Sequence, residues 1–123
     1  MSYLWIAVGA VVGASARYFL SSLIARHFST TFPYGTLLIN VTGSLILGFF
    51  LIYSSERVLL DPRWRLLVAV GFCGSYTTFS SYAFESIALM EQGQWLLFAT
   101  NVVGSNLLCL AGVLAGAMLA RGL

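Results

Sequence analysis

The chain has 123 residues, of which 59% are apolar and only 8% charged, with a mean hydropathy of +0.92. A water-soluble domain is about 45–50% apolar and about 25% charged, so this sequence cannot cover itself with polar surface. Six Arg and no Lys stand against Glu56, Asp61, Glu85 and Glu91, a net charge of +2. That balance gives no basic face for nucleic acid and names no other partner.

The remaining composition excludes more than it suggests. Cys73 and Cys109 both lie in apolar runs, where a thiol behaves as a small hydrophobe. With a single His they cannot build a closed zinc site of the usual spacing. Ala14-Ser15-Ala16 resembles a signal-peptide cleavage site. However, Met1-Ser2-Tyr3 carries no positive charge and apolar character resumes after Arg17, so the first run reads as a retained helix.

Four apolar runs separate at polar clusters, and the chain is read as one four-helix transmembrane domain over residues 1–123. The spans are approximately 3–25, 33–53, 64–90 and 95–120. The first ends at Arg26-His27-Phe28-Ser29-Thr30-Thr31, and Pro33 opens the second, which stops at Ser54-Ser55-Glu56-Arg57. Asp61-Pro62-Arg63 is a loop before Trp64, and Trp95 opens the fourth run after Glu91-Gln92-Gly93-Gln94. Trp64 suits a membrane interface. Inside such runs the backbone must satisfy its own hydrogen bonds, so helices are expected. Four crossings put both termini on one side, face A, together with Arg57, Arg63, Arg65 and Arg121, leaving Arg26 on face B. The positive-inside rule then makes face A cytoplasmic.

The third run is the longest. Trp64 to Glu91 spans 28 residues, roughly 41 Å as a straight helix at about 1.5 Å per residue, against a hydrocarbon core of about 30 Å. Its middle, Gly71-Phe72-Cys73-Gly74-Ser75-Tyr76-Thr77-Thr78, is rich in small and hydroxyl residues. A strong tilt would absorb the excess length; the composition favours a local interruption near Gly74–Thr78, where irregular backbone is tolerated if it is buried or lines a cavity. Gly9 and Gly13, Gly112 and Gly116, and Gly43 and Gly48 recur at spacings that permit close helix approach, with the partners left open.

Polar groups within the spans are the informative ones, since each is expensive in hydrocarbon. Counting helical rise, Arg17 lies roughly 13 Å from face B, Asn40 roughly 10 Å, Asn101 and Ser105 roughly 9 and 15 Å, and Glu85 roughly 9 Å. This shared depth suggests a water-filled vestibule opening at face B. Each residue has a plainer reading too. Arg17 can snorkel to the interface or pair with Glu85, and Asn40, Asn101 and Ser105 can be interhelical glue. Next comes Thr77-Thr78-Phe79-Ser80-Ser81-Tyr82, where Phe79 and Tyr82 share a helix face. Ring edges carry the positive end of the aromatic quadrupole, so edges flanked by the Ser80 and Ser81 hydroxyls offer an uncharged cradle for a small anion, weak enough to release it. The alternative is an aromatic stripe packing the bundle.

Three stretches carry a family resemblance: GAVVGASARY (9–18), PYGTLLINVTGSLILG (33–48) and GFCGSYTTFSSYAFE (71–85). With the four-span length, the sequence resembles the Fluc family of bacterial fluoride channels, also called CrcB-type proteins; the third stretch is the specific one. The resemblance implies an antiparallel, dual-topology homodimer with the third helix broken at its centre. It implies a structural Na+ on the dimer axis, held by main-chain carbonyls of Gly74 and Thr77. It also implies two fluoride pores lined by Asn40, Phe79 and Tyr82, with Ser80 and Ser81 in the adjoining polar track and Arg17 near the vestibule. The sequence departs from the family at Tyr82, where Phe is usual, at Ser75 for a glycine and at Ser81 for a threonine. Cys109 and Val113 stand where fourth-helix hydroxyls are expected, so no ligand role is assigned there.

The implied function is passive, selective export of fluoride across the bacterial plasma membrane, with no enzymatic step. Two other classes fit the size. A small proton-coupled multidrug exporter would need a membrane-embedded acid in its first helix, where this chain has Arg17 instead. A non-transporting assembly subunit would use the polar pattern for packing alone, and transport measurements separate all three.

Overall fold

A computed structural model describes residues 1–28 and 31–122; Ser29 and Thr30 of the first polar connection lie outside them. Helix α1 is Ser2–His27, and α2 is Tyr34–Ile52, which widens into a π-helical turn over Tyr53–Arg57. Asp61 then caps a new helix by accepting the Arg63 backbone N–H at 2.9 Å, with Pro62 in the first position. Proline suits that position because its missing N–H would have no partner there anyway. Bonds from the Arg63 side chain hold the Asp61 carboxyl pKa down to about 2.

The helix capped by Asp61, α3, covers residues 62–76: Pro62–Trp64, a π-helical stretch Arg65–Cys73, and Gly74–Tyr76. Nine consecutive π-helical residues are far more than the single-turn bulge usual in proteins. Thr77 and Thr78 are extended, with ψ of 159° and 117°. The chain turns helical again as α4, Phe79–Glu91, reverses through Gly93 at φ 77°, and ends in α5, Trp95–Gly122. No strand occurs among the described residues.

Among the described residues, three helices are long and apolar enough to cross a membrane: Ser2–His27, Tyr34–Arg57 and Trp95–Gly122. Neither α3 nor α4 alone has the roughly 20 residues of a crossing. Most large apolar side chains, Leu96, Leu107, Leu114 and Met118 among them, face outward, as expected where lipid takes the place of water.

Glycines decide which helices pair. α1 packs chiefly on α3, and α2 on α5. A Cβ at Gly9 would run into the Leu67 carbonyl, and one at Gly13 into the Phe72 carbonyl. On the other pair, a Cβ at Gly48 would meet Val113 O, and one at Gly116 would meet Leu45 O. Backbones this close replace the hydrophobic drive that a bilayer does not supply with dense van der Waals contact. At the helix ends, Arg121 bonds Glu56 at 3.1 Å, tying the last turn of α5 to the π-helical turn after α2.

Gly9→Ala and Gly116→Ala are expected to lower the melting temperature of the detergent-purified protein, since overpacking of this kind costs about 1–3 kcal/mol. Gly104 has no atom near its virtual Cβ, so Gly104→Ala should leave the melting temperature unchanged or raise it.

Candidate functional site

The two extended residues between α3 and α4 strip the helix ends of their normal hydrogen bonds, and side chains from α1 and α2 take over. Asn40 on α2 grips Thr78 from both sides. Its Nδ2 donates to the Thr78 carbonyl at 3.0 Å, and its Oδ1 accepts the Thr78 N–H at 2.8 Å. Arg17 on α1 donates from Nε to the Ser75 carbonyl at 3.0 Å. Thr77 doubles back on Cys73 O with both its N–H, at 3.1 Å, and its hydroxyl, at 2.9 Å. Thr78 Oγ1 caps α4 by accepting the Ser81 N–H at 3.3 Å. Gly43 makes the approach possible, because a Cβ there would strike Thr77 Cγ2 and the Tyr76 ring.

This exchange of partners has an electrostatic consequence. In a continuous helix the Thr78 N–H would serve the Gly74 carbonyl, and the Ser81 N–H would serve Thr77. Here those donors go to Asn40 and to the Thr78 hydroxyl. The Gly74 and Thr77 carbonyls thus lose their helical donors within a few residues of each other.

Beside the interruption lies a cavity of about 320 Å³, lined by Asn40, Gly74, Thr77, Phe79, Tyr82 and Asn106, with Ser44 and Ser105 also on its wall. The Phe79 and Tyr82 ring centroids are 5.3 Å apart, with planes tilted by 56°. No charged side chain lines this cavity. Ser80 and Ser81 are outside its lining, with the Ser80 hydroxyl 3.4 Å from Thr78 Oγ1. Arg17 is outside it too, engaged at the carbonyl end of α3.

Asn101 and Ser105 belong to a closed chain between α4 and α5. Ser105 Oγ donates to Asn101 Oδ1 at 3.0 Å, Asn101 Nδ2 to Ser86 Oγ at 2.9 Å, and Ser86 Oγ to the Tyr82 carbonyl at 2.7 Å. Asn101 is 2% exposed, and its amide is spent on packing. Glu85 does not pair with Arg17. One of its carboxyl oxygens is buried with no partner. The ion pairs Arg63–Asp61 and Arg121–Glu56 are both exposed and lie away from the cavity. Among the described residues, no group of three His, Cys, Asp or Glu side chains could hold a metal.

Sequence reasoning passed over Asn106. It lies eleven residues after Trp95, roughly 16 Å along the helix. The depth rule that singled out Asn101 would have found it. Ser44 and Ser86 were missed as well, and single hydroxyls in apolar helices carry little signal because they can bond their own backbone.

Comparison with known proteins places these features in a family. The family model for CrcB-like protein, Camphor Resistance (CrcB), matches residues 4–117. The chain is 60% identical over 121 residues to the fluoride-specific ion channel FluC of Koribacter versatilis, covering 98% of this chain and 96% of that one. It is 47% identical over 119 residues to a protein of the same name from Sulfurihydrogenibium, covering 97% and 96%. A third such protein, from Rhodospirillum rubrum, is 44% identical over 118 residues, covering 94% and 92%.

Removing the Asn40 side chain strands two backbone groups, each costing about 1–3 kcal/mol when left unmade. Asn40→Ala should therefore melt well below the wild-type protein in detergent. Asn40→Asp keeps the acceptor for the Thr78 N–H and is expected to fall between the two.

Proposed function

The chain belongs to the CrcB-like family, and from that membership we propose that it is a fluoride-selective channel carrying the anion passively out of the bacterial cell across the plasma membrane. The observation that carries this reading is 60% identity along nearly the whole chain to a fluoride-specific ion channel. The cavity supports it, because amide, hydroxyl and aromatic side chains line it without a fixed charge. An anion held by dipoles alone binds weakly enough to leave, as conduction requires.

The full architecture of this reading has four crossings, α3 and α4 together making the third, and two copies running antiparallel. Exposure supports a partner copy. Gly74, Phe79, Ser80 and Asn106 are all exposed on the single chain, near the middle of the apolar zone. Lipid is a poor neighbour for the Ser80 hydroxyl and the Asn106 amide, whereas a second protomer covering them is not. Asn40, Phe79 and Tyr82 then line the anion path, Ser80 and Ser81 continue it, and Arg17 stands toward the vestibule while fixing the end of α3. The Gly74 and Thr77 carbonyls, short of helical donors, are the groups that would hold a structural sodium ion at the dimer axis. Oxygen ligands suit such a hard cation, and the ion would supply a fixed positive charge at the centre.

The physiological logic follows from acid chemistry. Fluoride enters cells as neutral HF from an acidic medium and ionises in the near-neutral cytoplasm. An inside-negative potential then drives the anion outward by about 2.3 kcal/mol per charge per 100 mV.

Purified protein in liposomes should release fluoride when a potassium-valinomycin potential is imposed, as read by a fluoride electrode; vesicles that stay silent would overturn the proposal. Phe79→Ile should abolish that release while the protomer still folds. The Phe79 ring is 75% exposed, so the protomer's packing does not depend on it.

A further inference from the structure

Asn106 and Tyr82 face each other across the α4–α5 seam. Asn106 Nδ2 donates one hydrogen to the Tyr82 hydroxyl at 2.9 Å and the other to Val102 O, in its own helix, at 2.6 Å. The amide is therefore braced against α5 and reaches over to hold the phenol. The hydroxyl's own proton points to the same Val102 carbonyl, at a long 3.4 Å. Both side chains line the cavity, and the ring so held is the one tilted by 56° against Phe79. Asn106 is exposed on the isolated chain although it lies deep in an apolar helix, a costly position for an amide with no task.

We infer that Asn106 is a positioning residue for conduction: it fixes the Tyr82 ring in the anion path through the phenol hydroxyl. This rests on the channel reading above. The physical reason is the asymmetry of hydrogen-bond deletion. Removing one partner leaves the other unsatisfied, whereas replacing both with apolar groups is close to neutral. Without Asn106, the Tyr82 hydroxyl keeps only its long bond to the Val102 carbonyl, and the polar space beside it is the cavity. The ring would swing toward the path and obstruct it. Where the aromatic has no hydroxyl, that pull is absent, and Asn106 has nothing to hold.

The test is a double-mutant cycle of fluoride efflux from liposomes, using Asn106→Leu, Tyr82→Phe and the double variant, each checked for an unchanged elution profile. Asn106→Leu is expected to slow efflux roughly fivefold, taking the low end of the cost of an unmade hydrogen bond. Tyr82→Phe should conduct measurably, and adding Asn106→Leu to it should cause no further loss. If Asn106→Leu aggregates, Asn106→Ser reads the same loss without added bulk. Efflux from Asn106→Leu equal to wild type would overturn the inference, as would an equal loss whether or not Tyr82→Phe is also present. A silent Tyr82→Phe channel would make the hydroxyl itself a ligand and overturn the positioning role. Absence of efflux from the wild-type protein is distinguishable from all of these and would sink the channel reading, and this inference with it.

Discussion

Two hydrogen bonds between one asparagine side chain and one backbone residue hold the centre of this molecule together. Thr78 is extended in the middle of an apolar sequence, outside any helix that would pair its N–H and carbonyl. Asn40 supplies both partners, acting as a short piece of neighbouring strand would. The bonds around it follow from that choice. Once the Thr78 N–H is committed to Asn40, the Gly74 carbonyl has lost its helical donor. Once Thr78 Oγ1 caps α4, the Thr77 carbonyl has lost its own.

Such an interruption needs a rigid frame, because an irregular segment in hydrocarbon is stable only if its partners cannot drift away. The glycine contacts provide the frame. α1 lies against α3 with backbone touching backbone at Gly9 and Gly13, which brings Arg17 one turn further on to the Ser75 carbonyl. α2 is held to α5 through Gly48 and Gly116 and meets the interruption at Gly43, which places Asn40 opposite Thr78. In this sense the small residues do as much for the site as the polar ones.

Much of the polar chemistry in the spans is already committed within the chain. Asn101, Ser86 and Ser105 satisfy one another, and Arg17 and Asn40 serve backbone groups. The cavity is lined by aromatic, amide and hydroxyl side chains among apolar ones, without net charge. That lining suits a path for an anion that must shed water, bind weakly and move on. A fully charged lining would trap the ion, and a purely apolar one would exclude it.

By itself, the sequence determined the apolar, helical character of the chain and the odd composition of its third run. These are local properties, written in hydropathy and composition. The depth argument reached Asn40 and Arg17 but not what they touch. Whether Arg17 snorkels, pairs with Glu85 or holds a carbonyl depends on which helix α1 lies against, and Gly9 and Gly13 carry no label for their partner. The tertiary structure alone decided that Arg17 meets Ser75, that Ser80 and Ser81 fall outside the cavity lining, and that Asn106 grips Tyr82. Hydrogen bonds between residues 24 to 58 positions apart follow from helix pairing, which periodicity along a single chain does not encode.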